Sequence, residues 1–251
     1  MQATPLAITI KDLYKQYPDA LTPALAGLTL NVRENSFTGL LGPNGAGKTT
    51  CISILCGLVI PESGQATVYG LDCKKDKVAI RGVTGVVPQE IALFSNLTGF
   101  ENLKYIGRLY GLTDKEIKQR SGELMERFGL EKHAHKRVSR YSGGMQRRAN
   151  IIASLMHRPK LLILDEPTAG VDVQSRALIL EYLNEYRQNG NTILYTSHSL
   201  EEAQKMCDEV IIMDEGKFVT TGKPKQLIKD TPDCKTLEDV FLHHTGHTLR
   251  D

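Results

Sequence analysis

The stretch GPNGAGKTT, Gly42 to Thr50, constrains this chain more than any other, because Gly42 to Thr49 match G-x-x-x-x-G-K-[ST] without a departure. That pattern builds a phosphate cradle only between a strand and a helix. Phe37 to Leu41 reads as a short buried strand, and Cys51 to Leu58 as an apolar helix. Gly42, Gly45 and Gly47 let the backbone wrap an anion with its amides turned inward, and the helix N-terminus presents further unpaired amides to the same anion. Lys48 adds a charge for the outer phosphates. Thr49 adds a hydroxyl for Mg²⁺, which takes one or two protein oxygens beside phosphate and water. The expectation is a protein that handles a nucleoside triphosphate.

Composition narrows the classes that remain. A chain of 251 residues is one large domain or two small ones, and 41% hydrophobic with 24% charged residues describes a water-soluble globular protein. A net charge of +2 does not point to nucleic acid. The five cysteines, Cys51, Cys56, Cys73, Cys207 and Cys234, form no C-x-x-C pair and are odd in number, which predicts reduced thiols and a cytoplasmic compartment. The most apolar run, Cys51 to Ile60, is about half the ~20 residues of a membrane-spanning helix, and the N-terminus does not read as a signal peptide. A role at a membrane would therefore need a second chain.

Along the chain, Ala7–Ile10, Leu28–Val32 and Phe37–Leu41 read as strands separated by turn residues, which predicts a small antiparallel region. Tyr17, before Pro18, offers either a stacking face for a base or an ordinary core ring. Gly64–Gly70 and Gly82–Val87 read as further strands, the second ending at Gln89, an amide placed to orient water, Mg²⁺ or a partner segment. Helical spacing follows in Asn102–Gly111 and in Asp114–Phe128, with Thr113-Asp114 as the cap. Between these regions, Phe94, Leu97 and Phe100 are either a docking surface or part of a helical core.

In YSGGMQRRAN, Ser142 is a helix N-cap and Gly143 and Gly144 permit close backbone approach, so a second anion receptor opens a helix running to about His157. One nucleotide uses both receptors only if they face each other, which predicts head-to-tail pairing of two domains. LLILDEP reads as a buried parallel strand delivering Asp165, suited to Mg²⁺ directly or through water, and Glu166, suited to a general base for an attacking water. Asp172 lies in the turn AGVD before a helix over Val173–Gln188; His198 follows the strand Asn191–Thr196, placed for a γ-phosphate or the water. Strands at Val210–Asp214 and Lys217–Thr221 and a helical tail with Leu237, Val240 and Phe241 close the chain. His133, His135, His243, His244 and His247 lack the company a closed metal site needs.

The ordered set of phosphate loop, Gln89, SGG helix start, LILDEP, VD turn and TSH closely resembles the nucleotide-binding domain of the ATP-binding-cassette family over nearly the whole chain. The resemblance implies an α/β P-loop NTPase core with a mainly parallel sheet, an N-terminal antiparallel β subdomain and an inserted helical subdomain. It divides one domain, 1–251, into a RecA-like core (1–90 and 159–222), a helical signature subdomain (91–158) and a helical tail (223–251). It implies that Tyr17 stacks on the adenine of ATP and that Gly42, Pro43, Asn44, Gly45, Ala46, Gly47, Lys48, Thr49 and Thr50 bind phosphates and Mg²⁺. By the same resemblance Gln89 and Asp165 join Thr49 at Mg²⁺, and Gln89 couples the site to a transmembrane partner. Ser142, Gly143 and Gly144 act on the other subunit's ATP, Glu166 is the base, Asp172 communicates across the interface and His198 senses the γ-phosphate.

The signature reads YSGGM where the family's most frequent form is LSGGQ, so Tyr141 and Met145 are departures. GLLGPNGAGKTT, YSGGMQRR, SHSLEEA and TLEDVFLHHTGHTLRD are similar to the daunorubicin-resistance-type branch of exporter ATPases, whose separate permease subunits hold them at the cytoplasmic face of the membrane. A soluble switch of the same superfamily would carry two cassettes or a coiled-coil insertion, neither visible here, while an importer ATPase would share every one of these residues.

Overall fold

The computed structural model describes residues 5–246, so His247 and the rest of the closing segment lie outside the described residues. In chain order the strands are β1 (Leu6–Lys15), β2 (Leu25–Arg33), β3 (Phe37–Leu41), β4 (Ser63–Val68), β5 (Leu71–Asp72), β6 (Thr84–Val87), β7 (Leu161–Asp165), β8 (Thr192–Thr196), β9 (Glu209–Asp214) and β10 (Lys217–Gly222). The helices are α1 (Lys48–Leu55), α2 (Lys77–Val83), α3 (Gly99–Leu109), α4 (Asp114–Arg127), α5 (Gly143–Leu155), α6 (Val173–Gln188), α7 (Leu200–Met206), α8 (Pro224–Asp230) and α9 (Leu237–Thr245).

Two sheets organise these elements, as expected for the α/β class. The antiparallel sheet has the order β2-β1-β4-β5, and the larger sheet the order β10-β9-β3-β8-β7-β6. In the larger sheet every neighbouring pair is parallel except β9 and β10. Strands covered on both faces read as continuous apolar runs, and β3 and β8 are buried at all five positions. Successive residues feed opposite cores: Leu162 and Leu164 of β7 join α3–α6 and α9 on one face, while Leu161 and Ile163 join α1 and the antiparallel sheet on the other. Tyr69 ties the sheets together, its hydroxyl donating to Lys160 O at 3.1 Å and lying in hydrogen-bond contact with the Thr192 hydroxyl at 3.0 Å.

Local chemistry sets the helix starts. Thr98 and Thr113 form capping boxes with Glu101 and Glu116, and Ser142, Asp172, Ser199 and Thr236 each cap the helix that follows. Several boundaries differ from the sequence reading, among them β2, which starts at Leu25, α3, which starts at Gly99, and β4, which ends at Val68; three others show their cause. Helix α1 begins at Lys48 and ends at Leu55, before Leu58, because Gly57 turns left-handed (φ +68°) and bonds back to Ile54 O at 2.9 Å. The run Gly82–Val87 is a strand only from Thr84, where its pairing with Leu161 begins; Lys77–Val83 is helical, with Ile80 alone buried. Strand β1 is longer than Ala7–Ile10, reaching Lys15 through an irregularity at Asp12, whose φ is +47°.

The parallel arrangement brings the carboxyl ends of β3, β6, β7 and β8 to one edge. There the chain leaves β3 into the phosphate loop, β6 into Gln89, β7 into Glu166 and β8 into His198.

Candidate functional site

A cleft at that edge, of about 430 Å³, is lined by Ala24, the loop Asn44 to Thr50, Gln89, Asp165, Glu166 and His198. Residues separated by up to 174 positions, Ala24 and His198, thus share one cavity. Within the loop Gly45 and Gly47 are left-handed (φ +80° and +96°), a conformation that favours glycine. A Cβ at Gly47 would stand 2.2 Å from Ala24 O, and one at Gly42 would stand 2.4 Å from Met213 O, so neighbouring backbone leaves no room there for a side chain. Pro43 carries a second function: its carbonyl and that of Gly42 accept from Lys48 Nζ at 3.0 and 2.6 Å. Burial pulls the Lys48 ammonium pKa down, while Glu166 and Asp165 oppose the shift.

Glu166 is held from three sides. Its backbone sits left-handed (φ +50°), uncommon for a residue with a side chain, and its amide is bonded to Thr196 Oγ1 at 3.1 Å. Gln89 Nε2 donates to Glu166 Oε2 at 3.1 Å, and His198 Nε2 lies 2.5 Å from Oε1. His198 Nδ1 is buried without a partner among the described residues. Asp165 accepts from the Thr196 hydroxyl through Oδ1 at 2.6 Å. Tyr17, 40% exposed, approaches the loop with its hydroxyl 3.5 Å from Thr50 Oγ1.

Ser142 and its glycines lie elsewhere. Ser142 Oγ accepts from Met145 N at 3.3 Å, and neither it nor Gly143 or Gly144 lines the cleft. Sequence reasoning assigned close approach to both glycines, but within the protomer only Gly144 is crowded. Its Cβ would stand 2.3 Å from Ser175 Oγ and 2.4 Å from Asp172 Oδ2, whereas nothing lies within 4 Å of one at Gly143. Asp172 is thereby packed against the signature helix while capping α6, accepting from Ser175 N at 2.9 Å. Those hydrogen bonds from Ser175 hold its carboxyl below the usual range.

The departures from the signature pattern have structural partners. Tyr141 is 6% exposed and donates to His133 O at 2.7 Å, while Met145 packs against the core. The 94–100 segment is divided: Phe94 is 53% exposed, whereas Leu97 and Phe100 are half-buried. Among the described residues no group of three or more His, Cys, Asp or Glu is arranged for a metal ion.

Arg147, Thr196 and Ala24 were not singled out by sequence reasoning. Arg147 is buried and donates to Pro88 O at 2.9 Å and Gln89 O at 2.7 Å, fixing the Gln89 backbone. Burial lowers its pKa, and Glu166 and Asp165 oppose that shift. A positive residue on the inward face of α5 is the one signal that marked it.

A parallel α/β sheet whose phosphate loop opens into a cleft with paired carboxylates defines a P-loop nucleotide triphosphatase. The sequence matches the ABC transporter family over residues 25–169, more than half of its length, and the chain belongs to that family as one of its ATP-binding, ATP-hydrolysing members. It is 46% identical over 201 residues to the linearmycin resistance ATP-binding protein LnrL of Bacillus subtilis (strain 168), covering 80% of this chain but only 65% of LnrL. It is 38% identical over 240 residues to the daunorubicin resistance ATP-binding protein DrrA3 of Streptomyces coeruleorubidus, covering 96% of this chain and 75% of that one. A solved structure of the ATP binding subunit of an ABC transporter superposes with a TM-score of 0.86 at 27% identity, covering 94% of this chain and 98% of the other.

Proposed function

We propose that this chain is the ATPase subunit of an exporter, closing head-to-tail with a second copy or a paired ABC subunit around two ATP molecules and driving a separate transmembrane permease subunit. One observation carries the reading: Ser142 and Gly143 are exposed at the start of α5, outside the cleft that gathers Lys48, Asp165, Glu166 and His198. A second anion receptor outside its own protomer's cleft is suited to the nucleotide of another subunit.

The residues fit Mg-ATP. Left-handed Gly45 and Gly47, with Gly42 and Gly47 hemmed in by neighbouring backbone, form a narrow anion cradle, and Thr49, Gln89 and Asp165 supply the oxygen donors a hard cation takes. When bound, ATP brings the phosphoryl group to be transferred and Mg²⁺ neutralises charge on it. Thr49 and Asp165 would hold the cation, Lys48 and the loop amides the phosphates, and Tyr17 the adenine. Glu166 takes a proton from the attacking water, and Gln89 and His198, one on each carboxylate oxygen, set its aim. The roles of Ser142, Gly144 and Asp172 belong to the dimer, and the division into core, helical part and tail follows from this reading.

Export rests on the relatives, both named as resistance ATP-binding proteins. A permease partner at the cytoplasmic face of the membrane is supported by the similar solved structure, which is an ATP binding subunit of an ABC transporter. In addition, a groove at Pro88, lined by Ile80, Val86, Ala92, Ile106 and Tyr110 together with the polar Arg81, Asn150 and His157, offers a seat of mixed polarity for a partner segment.

The reading is tested by purifying tagged Glu166→Gln protein with ATP from gently solubilised source membranes. A stoichiometric integral membrane protein is expected. Recovery only with ribosomes or nucleic acid would overturn it, and flux direction in vesicles containing the recovered complex separates export from import.

A further inference from the structure

Helix α7 begins two residues after His198, behind its cap Ser199, and its third residue, Glu202, is a carboxylate with only 1% of its side chain accessible. Burying a charge so completely is costly unless it is paired and hydrogen-bonded. Here it is: Thr168 Oγ1 donates to Glu202 Oε1 at 2.8 Å, and Arg176 Nε donates to Oε2 at 2.7 Å. These donors come from the two segments that follow Glu166. Thr168 lies in the turn two residues on, also within 3.4 Å of the buried Tyr195 hydroxyl, and Arg176 lies in the first turn of α6. The same arginine reaches Ser199 Oγ at 3.4 Å, and Ser199 caps α7 by accepting from Glu202 N at 3.2 Å. On the other side of the histidine, Ser197 Oγ accepts from Ser199 N at 3.0 Å.

His198 therefore sits in a loop pinned at both flanks, one pin being the Glu202–Arg176 pair. A cavity lined by Glu166, Thr168, Arg176, Ser197, His198 and Ser199 shows that both hydrogen-bond donors to Glu202, Thr168 and Arg176, border the same space as the Glu166–His198 contact.

We infer that Glu202 is a positioning residue for hydrolysis, locking the His198 loop onto the Thr168 turn and helix α6 so that His198 Nε2 meets Glu166. It touches neither nucleotide nor water in this role, and it acts through His198. Because α6 is capped by Asp172, which packs on Gly144, the lock joins the His198 loop to the element that carries the signature contact. The inference rests on the reading of Glu166 and His198 given above.

The test is a double-mutant cycle of Glu202→Gln with His198→Ala, read by single-turnover hydrolysis of radiolabelled ATP, with nucleotide affinity measured in parallel. Glu202→Gln is expected to slow hydrolysis about tenfold, within the ~10²-fold span that a small misplacement of a catalytic group costs, with ATP affinity changed less than about twofold. In the His198→Ala background the same substitution is expected to have almost no further effect, because the group it positions is gone. Equal slowing in both backgrounds would show a general structural role and overturn the inference. So would full activity of Glu202→Gln beside a strongly impaired His198→Ala. Wild-type hydrolysis by His198→Ala would instead remove the reading of His198 itself, and this inference with it. Should Glu202→Gln fail to fold, Arg176→Gln carries the same cycle, since that side chain is 45% exposed and breaks the pair from its solvent side.

Discussion

Glu166 shows how one residue's backbone and side chain are committed together. Its left-handed φ of +50° costs conformational energy, and the Thr196 hydroxyl and carbonyl both accept from its amide, at 3.1 and 3.3 Å, to hold it there. Glu166→Gln keeps that volume and removes the base, so steady-state ATP turnover should fall by about 10²–10⁴-fold while ATP affinity holds. Turnover equal to wild type would take Glu166 out of that role. Asp165 and Glu166 were visible in the sequence because four apolar residues deliver them to a strand end. Arg147 and Glu202 were not, because nothing adjacent marks an inward-facing charge; each is recognised only by acceptors or donors 26 to 59 positions away.

At the scale of elements, the unusual signature residue has a counterpart. A Cβ at Gly99, the first residue of α3, would stand 2.3 Å from the Tyr141 hydroxyl. Gly99→Ala should therefore destabilise by about 1–3 kcal/mol, the usual cost of overpacking. In a Tyr141→Phe background, with the hydroxyl gone, the same change should cost at least ~1 kcal/mol less, a coupling typical of residues in contact; denaturant unfolding of the four proteins measures it. The end of α5 carries a second prediction. His157 stacks on Tyr110 with ring centroids 3.7 Å apart and meets Thr84 O at 3.1 Å, and burial lowers its pKa below 6.5 against the smaller opposing effect of that hydrogen bond. A histidine whose folded pKa is depressed binds protons better when unfolded. Its contribution is complete above the unfolded pKa and is lost as pH falls through about 6.5 toward the folded value. Unfolding free energy should decline in that window, and His157→Gln should flatten that part of the profile. Element boundaries were less legible than element types. The end of α1 and the start of β6 were set by a left-handed glycine and by the β7 ladder, whereas the Thr113 cap, whose partner Glu116 lies three residues away, was read directly; the Thr98 cap, four residues before the Asn102 at which the sequence reading started its helix, was not.

For the molecule as a whole, the telling arrangement is a cleft that gathers Lys48, Asp165, Glu166 and His198 and, outside that cleft, a helix start with open space at Gly143. In a mixed dimer that pairs a Ser142→Ala subunit with a Lys48→Ala subunit, head-to-tail closure puts both changes on one nucleotide, so the Ser142→Ala subunit's own cleft should keep hydrolysing ATP. Loss of hydrolysis at that cleft would refute head-to-tail pairing. The α/β class, the phosphate loop, the strand carrying Asp165 and Glu166 and the capped helices were all determined by the sequence itself. Their causes, alternation, apolar runs, glycine freedom and caps, act over a few residues and leave a local trace. What only the tertiary structure decided is which distant groups meet: Gln89 with Glu166, 77 positions apart, Arg147 with Gln89, 58 apart, and Glu202 with Thr168, 34 apart. Such meetings depend on the strand order β3-β8-β7-β6 and on two cores packed to either side of it, which no short window of residues encodes.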